Sequence, residues 1–292
     1  MKKILICLLC LLLLCGCTSV NESKTPQLTI VATNFPLYDF ARDIGGENIE
    51  IKMLIKAGCE VHSYDPLPSD MTAIYNSDLF LYIGGESDNW AQTLLDDAKV
   101  KSVSFMDCIK THHDHDHDHD DEHIWTSSEN AILMLQKICQ SIIEIDKSNA
   151  DVYRKNCDEY IKKIETASKE IEKTVKNNSE KLILVADRFP YLYFAEQYGI
   201  KYEAAFDGCA VSTDISLKTM MNLTEIIEKN NIKTVFCTEL SSQNVAKCLK
   251  EELGVEIVEL HSAHNVTLED FNNGINYVDI MYRNQKALER GM

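Results

Sequence analysis

The sequence is short of several features, and each shortage excludes a class of protein. Its 292 residues contain only 5 Pro and 11 Gly, and 45% are hydrophobic, which excludes a collagen-like or disordered chain. The longest uninterrupted apolar run covers residues 4–14, less than the ~20 residues of a membrane-spanning helix. Basic residues number 29 against 46 acidic ones, and the net charge of −17 would repel nucleic-acid phosphates. The composition therefore indicates an acidic globular protein with a neutral or cationic partner.

The first residues of the chain indicate export. Lys2 and Lys3 precede the apolar run, a pattern typical of a secretory signal. The run ends in Leu14-Cys15-Gly16-Cys17, which resembles the lipobox of bacterial lipoproteins; an ordinary signal peptide is the alternative. We expect cleavage after residue 16, lipid on Cys17 and a short polar tether over residues 17–27. The exported form then carries 27 basic against 46 acidic residues, a formal charge of −19.

Cysteine spacing does not indicate a disulfide framework or a zinc ribbon. Seven cysteines remain besides the lipidated one, an odd number, and no two of these seven form a CxxC pair. Cys139, Cys157 and Cys237 lie on apolar periodicities, so we expect most of the seven to be small buried side chains. One bridge between loop positions, such as Cys59 and Cys209, stays open.

Short β-rich runs alternate with helical patterns, which indicates parallel α/β architecture. The sequence predicts four strands, a gap and four more strands, over residues 28–32, 49–54, 79–83, 102–105, 182–186, 201–205, 234–237 and 256–260. Val31-Ala-Thr-Asn-Phe-Pro36 recurs as Val185-Ala-Asp-Arg-Phe-Pro190, at an offset of 154 residues. We expect a helix to open at each Phe-Pro. An internal duplication explains this repeat, and convergence on a common strand-to-helix turn is the alternative.

The longest helical pattern lies between the two halves. After a helix near residues 128–145, apolar residues recur at spacings of three and four over about 149–176. Such a helix would span ~42 Å and act as a rigid spine that limits lobe closure. The prediction is two Rossmann-like lobes with four-stranded parallel sheets, one over residues 28–126 and one over 180–292, joined by a helical segment over 127–179.

The nine histidines fall in three places. His62 follows the second predicted strand, and His261 and His264 follow the eighth. The other six lie in or beside an acidic tract after the fourth strand, within a loop over residues 111–123: His112, His113, His115, His117, His119 and His123. Alternating imidazole and carboxylate groups favour a loop of low-affinity metal sites, since no packed core can use them.

Carboxyl ends of parallel strands build ligand sites in open sheets. Groups that follow five of the predicted strands should therefore converge on one cleft between the lobes: His62, His123, Asp187, Glu239 and His261. Imidazole is the commonest protein ligand for metals such as zinc. Each group also has a simpler interpretation: His62 as a hydrogen-bonded loop residue, Asp187 as a helix cap, and Glu239 as a solvated acid.

These residues carry a resemblance to a known family. The chain resembles the zinc- and manganese-binding substrate-binding lipoproteins of ABC transporters, solute-binding protein family 9, over nearly all of its exported length. The matching motifs are Gly58-Cys-Glu-Val-His62-Ser-Tyr-Asp-Pro-Leu-Pro, Asp121-Glu-His123-Ile-Trp and Val258-Glu-Leu-His261. The resemblance implies two α/β lobes bridged by a long helix, with His62, His123, Asp187 and His261 as metal ligands. Asp187 departs from the family's usual His, so Glu239 and His264 stay open as substitutes.

The predicted ligands restrict which metal the site would bind. Imidazoles with one or two carboxylates suit zinc or manganese, and three imidazoles favour Zn²⁺ over Mn²⁺. Since binding needs neutral imidazoles, we expect affinity to fall below about pH 6.5.

The resemblance also implies a role. It implies an extracytoplasmic, lipid-anchored monomer without enzymatic activity, which captures the ion and delivers it to an ABC permease in the membrane. A metal-buffering surface lipoprotein or adhesin is the alternative. A secreted zinc hydrolase is a weaker one, because the chain has no His-Glu-x-x-His helix.

Overall fold

The computed structural model describes residues 27–95, 99–109, 120–179, 181–206 and 215–292. The signal segment, Cys17 and most of the tether lie outside these residues, as do Cys209 and the tract histidines His112, His113, His115, His117 and His119. No helix among the described residues is both long and apolar enough to cross a bilayer.

Eight strands form two parallel sheets of four. The strands are β1 Leu28–Ala32, β2 Ile49–Met53, β3 Leu79–Tyr82, β4 Ser102–Ser104, β5 Leu182–Arg188, β6 Lys201–Phe206, β7 Thr234–Cys237 and β8 Glu256–Glu259. The sheet orders are β2-β1-β3-β4 and β6-β5-β7-β8, with every pairing parallel. The predicted fold class is confirmed, and the two sheets share one topology, as the sequence repeat predicts.

Ten helices of the described residues cover and connect the sheets. They are α1 Phe35–Gly45, α2 Pro68–Tyr75, α3 Asn89–Leu95, α4 Ser128–Ile145, α5 Ala150–Lys176, α6 Leu192–Tyr198, α7 Leu217–Asn230, α8 Asn244–Leu253, α9 Leu268–Asn272 and α10 Tyr277–Gly291. The 27 residues of α5 form the predicted spine, ~40 Å long. Its apolar stripe is buried from Tyr153 to Val175, and it packs against α1, α4 and α10. One hydrophobic core therefore extends through both lobes.

A buried carboxylate connects the spine to its neighbours. Asp39 on α1 accepts hydrogen bonds from the Tyr160 hydroxyl on α5 and from Arg42, and from the backbone N–H of Tyr277 at 2.9 Å. Burial raises the pKa of Asp39 to about 6, although Arg42 and the hydrogen bonds oppose the shift. Because three helices meet at this group, it fixes their relative positions.

The two copies of the repeat differ in how their helices begin. Helix α1 opens at Phe35, and the side chain of Asn34 caps it by accepting the N–H of Leu37. In the second copy the predicted start at Phe-Pro is wrong, because α6 begins at Leu192. The residue equivalent to Asn34 is Arg188, and a guanidinium has no acceptor with which to cap a helix. Residue 188 instead ends a longer strand.

The segment 261–266 of the C-terminal lobe is bonded to the N-terminal lobe. Gly58 N–H donates to Val266 O at 2.7 Å, and Trp125 Nε1 donates to Ser262 O at 2.8 Å. The Asn265 side-chain amide donates to the carbonyls of Lys56 and Cys59. This segment therefore forms part of the floor between the lobes.

The described cysteines are free. Cys139, Cys157 and Cys237 are buried as predicted, but Cys59, Cys108 and Cys248 are exposed, so only half of the described cysteines meet the expectation that most are buried. The possible Cys59–Cys209 bridge involves a residue outside the described part of the chain.

Candidate metal centre

Three histidines from three loops converge between the lobes. His62 lies in the loop after β2, His123 lies just before the 3-10 turn Ile124–Thr126, and His264 lies in the loop after β8. Their ring centroids are 5.0 to 5.8 Å apart. One ring nitrogen from each lies within 4.8 Å of the other two. Zinc–nitrogen bonds of ~2.0–2.1 Å in tetrahedral geometry place nitrogens about 3.4 Å apart, so small ring movements suffice to bind one ion.

Two of the three imidazoles are held in a form suited to binding a metal. Burial lowers the pKa of His62 to about 4, and nearby His123 adds to the shift. Burial also lowers the pKa of His264 well below its usual range, with further lowering by the other two rings. His62 and His264 are therefore neutral at pH 7, and a neutral imidazole offers a lone pair to a metal.

Two consecutive acidic residues lie beside two of these rings. Asp121 Oδ1 lies 3.1 Å from Nδ1 of His123 and also accepts the His123 backbone N–H at 2.7 Å. Glu122 Oε1 lies 3.7 Å from Nδ1 of His62, and its Oε2 accepts the N–H of Ser87. The Asp121 carboxylate at hydrogen-bond distance from Nδ1 places the proton of His123 there and leaves its Nε2 free for a metal, and Glu122 adds negative charge near His62. Sequence reasoning missed both acids, because they look like a continuation of the acidic tract.

Glu239 supports the loop that carries the third ring, that of His264. Its carboxylate accepts the N–H of Ser262 at 2.7 Å, the Ser262 hydroxyl at 2.6 Å and the N–H of His264 at 3.2 Å. It lines the same cavity as the three histidines, but its oxygens are engaged in holding the backbone of this loop.

His261 lies apart from the three converging rings. Its Nδ1 accepts the N–H of Ala263 at 2.9 Å, and its own N–H donates to Asn284. It lines a separate cavity of about 20 Å³ with Tyr191 and Tyr277. Ala263 has a left-handed φ of 62°, which turns the chain between His261 and His264. The loop thus presents His264, named by the sequence only as a substitute, beside His62 and His123.

Asp187 also lies apart from the three rings. It accepts the Thr238 hydroxyl at 3.1 Å and its neighbour's N–H at 2.9 Å, and it lines an adjacent cavity of about 270 Å³. It does not cap α6, whose N-terminal residue makes no side-chain cap. The next residue, Arg188, lines the three-histidine cavity instead, and sequence reasoning missed it.

Sequence and fold comparisons relate the chain to bacterial zinc proteins. It is 29% identical to the zinc-binding lipoprotein AdcA of Streptococcus pneumoniae serotype 4 over 99% of this chain, but it spans only 61% of that relative. It is 26% identical to the high-affinity zinc uptake system protein ZnuA of Bacillus subtilis, over 96% of this chain and 94% of the relative. The crystal structure of the Zn(II)-bound ZnuA-like domain of S. pneumoniae AdcA matches with a TM-score of 0.79 at 28% identity, over 91% of this chain and 98% of that one. The family model described as zinc-uptake complex component A, periplasmic, matches residues 30–291. The resemblance drawn from the motifs is thus confirmed, and the chain belongs to this zinc-uptake family.

Proposed function

We propose that this protein is the extracytoplasmic zinc-binding component of an ABC uptake transporter. The observation that carries the proposal is the convergence of His62, His123 and His264 in one cavity between the lobes. Burial keeps the rings of His62 and His264 neutral at pH 7. Family membership supports uptake as the purpose of binding.

The donor set favours zinc over manganese. Three imidazole nitrogens match a tetrahedral zinc site, whereas manganese prefers more oxygen ligands and a higher coordination number. The carboxylate that the sequence placed among the ligands, Asp187, lies in the adjacent cavity and so adds no oxygen to the three-histidine group.

Titration calorimetry with a competing chelator tests the ligand set. Replacement of His62, His123 or His264 by Ala should abolish tight zinc binding. His261→Gln is the matched control, since His261 is buried like His123 and His264 but lies outside the group. If His261→Gln lost zinc as completely as the others while retaining its circular dichroism spectrum, the assignment of His264 would be wrong.

The capture and handover route extends this proposal. Lipid on Cys17 would hold the protein at the outer face of the bacterial membrane, and the His-Asp loop would raise the local metal concentration. A membrane permease would then accept the ion from a monomeric protein that catalyses no reaction. Deletion of residues 112–120 should leave the cleft affinity nearly intact.

Growth of a deletion strain in zinc-poor medium separates transport from the alternative of a metal-buffering surface lipoprotein or adhesin. A transport component is required for growth there, and cleft variants should fail to restore it. A buffering protein would be dispensable. Zinc-dependent hydrolysis of ester or peptide substrates by the purified protein would instead favour the hydrolase alternative.

A further inference from the structure

A permanent positive charge lies in the cavity proposed to receive a cation. Arg188 ends β5, and its side chain is only 19% exposed. It lines the cavity together with His62, His123 and His264. Its charge lowers the pKa of His62 and His264, although burial is the larger cause. A guanidinium does not lose its proton in a protein, so this charge persists while zinc binds.

The guanidinium has spare hydrogen-bonding capacity. Its Nη1 lies 3.3 Å from Glu60 Oε1, whereas its buried Nε has no acceptor among the described residues. Buried donors without acceptors are rare in folded proteins. Arg188 is therefore prepared to bind an additional acceptor, and a fork of N–H donors matches the paired oxygens of a carboxylate or a phosphate.

The three imidazoles leave one tetrahedral position on zinc without a protein ligand. Glu239 is held by Ser262 and the His264 backbone, as described above. Glu60 Oε1 accepts the N–H groups of Val61 and His62 at 3.1 and 3.3 Å, so its movement to the metal would disrupt the turn that presents His62. The other imidazole and charged side chains that line the cavity are the three rings and Arg188.

The volume of the cavity limits the size of a fourth zinc ligand. Its volume is about 50 Å³. One water-sized sphere needs ~10–15 Å³ by the same measure, so the cavity admits an ion with a group of about three heavy atoms. Formate, with three heavy atoms, meets this limit, and acetate exceeds it by one methyl carbon.

We propose that the cleft binds zinc together with a small carboxylate anion, which takes the fourth coordination position and is held by Arg188. The inference rests on the proposed function and names its cargo as a zinc–carboxylate pair. The anion neutralises the repulsion between the guanidinium and the ion. By linkage, zinc and the anion then tighten each other's binding by one common factor, typically about 5- to 150-fold.

Zinc titrations with and without formate or acetate test this proposal, in a buffer otherwise free of carboxylate and carbonate. The wild-type protein should bind zinc about 5- to 150-fold more tightly when the carboxylate is saturating. Arg188→Met should remove this gain while still binding zinc through the three histidines. Arg188→Lys, which keeps the charge but loses the planar fork, should retain only part of it. Arg154→Met is the matched control, since Arg154 is exposed on α5 and paired with Asp151, and its removal should leave the gain unchanged.

Three results would overturn the proposal. The first is a wild-type zinc affinity that does not respond to carboxylate. The second is an equal response in Arg188→Met. The third is loss of tight zinc binding in Glu60→Gln, which would assign the fourth position to that side chain. Failure of the proposed function looks different, because the wild-type protein would then bind no zinc tightly in either buffer.

Discussion

The Asp121–His123 contact allows a sharp test of how the acidic residues prepare the site. Asp121→Asn keeps the shape of the side chain and an oxygen that can accept the His123 backbone N–H, but it removes the charge at Nδ1. His123 is fully buried and the Asp121 side chain is 5% exposed, so water does not replace the lost interaction. Loss of such a partner costs about 10- to 100-fold in metal affinity, or ~1.4–2.8 kcal/mol.

The assay is competitive zinc titration of the purified protein at pH 7, with circular dichroism as the check on folding. Asp107→Asn is the control, because it removes one negative charge from an exposed position before the His-rich loop. Asp107→Asn tests the general effect of the acidic surface, and we expect little change from it. If both variants had the same zinc affinity, long-range charge would explain the effect of Asp121, and the argument for ring orientation would be refuted.

Three further predictions concern the site and the spine. Because burial lowers the pKa of His62 to about 4, zinc affinity should change little between pH 7 and about pH 5.5, unlike the loss below pH 6.5 expected from sequence; a steep loss near pH 6.5 in calorimetry would contradict this. Gly85→Ala should weaken zinc binding, since a Cβ there would overlap Glu122 and displace it from His62; unchanged affinity would show that the Glu122 contact does not matter. Burial raises the pKa of Asp39 from 3.8 to about 6, so the contribution of Asp39 to stability falls as pH rises from 4 to 6. Asp39→Asn should lack this pH-dependent contribution, so the free energy of unfolding, measured with urea, should fall for the wild type relative to the variant over that range. A constant difference between the two proteins would refute the assignment.

The strands and the spine were predictable because local patterns specify them. Thr234–Cys237 and Leu28–Ala32 match their predicted bounds, and α4 and α5 begin and end within one residue of prediction. Apolar period and β-branched content carry this information along a few consecutive residues. The predicted start of α6 at Phe-Pro was wrong. Arg188 cannot cap a helix as Asn34 does in the first copy, and only a comparison of these two equivalent residues reveals the difference.

The site was predictable only in part. Motif spacing indicated His62 and His123, and the structure brings them together. Motif spacing could not distinguish His261 from His264, because one residue with a left-handed backbone conformation, Ala263, decides which ring turns toward the cleft. Arg188 could have been identified from the sequence, because it is a charged residue at the end of an otherwise apolar strand, at the position that the repeat pairs with Asn34.

The bonds between segment 261–266 and the N-terminal lobe have a consequence for biosynthesis. Synthesis starts at the N-terminus, so His62 and His123 are made 202 and 141 residues before His264. Contacts such as Gly58–Val266 join residues that are far apart in sequence, and they can form only after segment 261–266 has been made. The three histidines therefore come together only in chains that include this segment, and an ion bound to all three would stabilise those chains but not shorter ones. Shorter chains would thus compete only weakly for zinc.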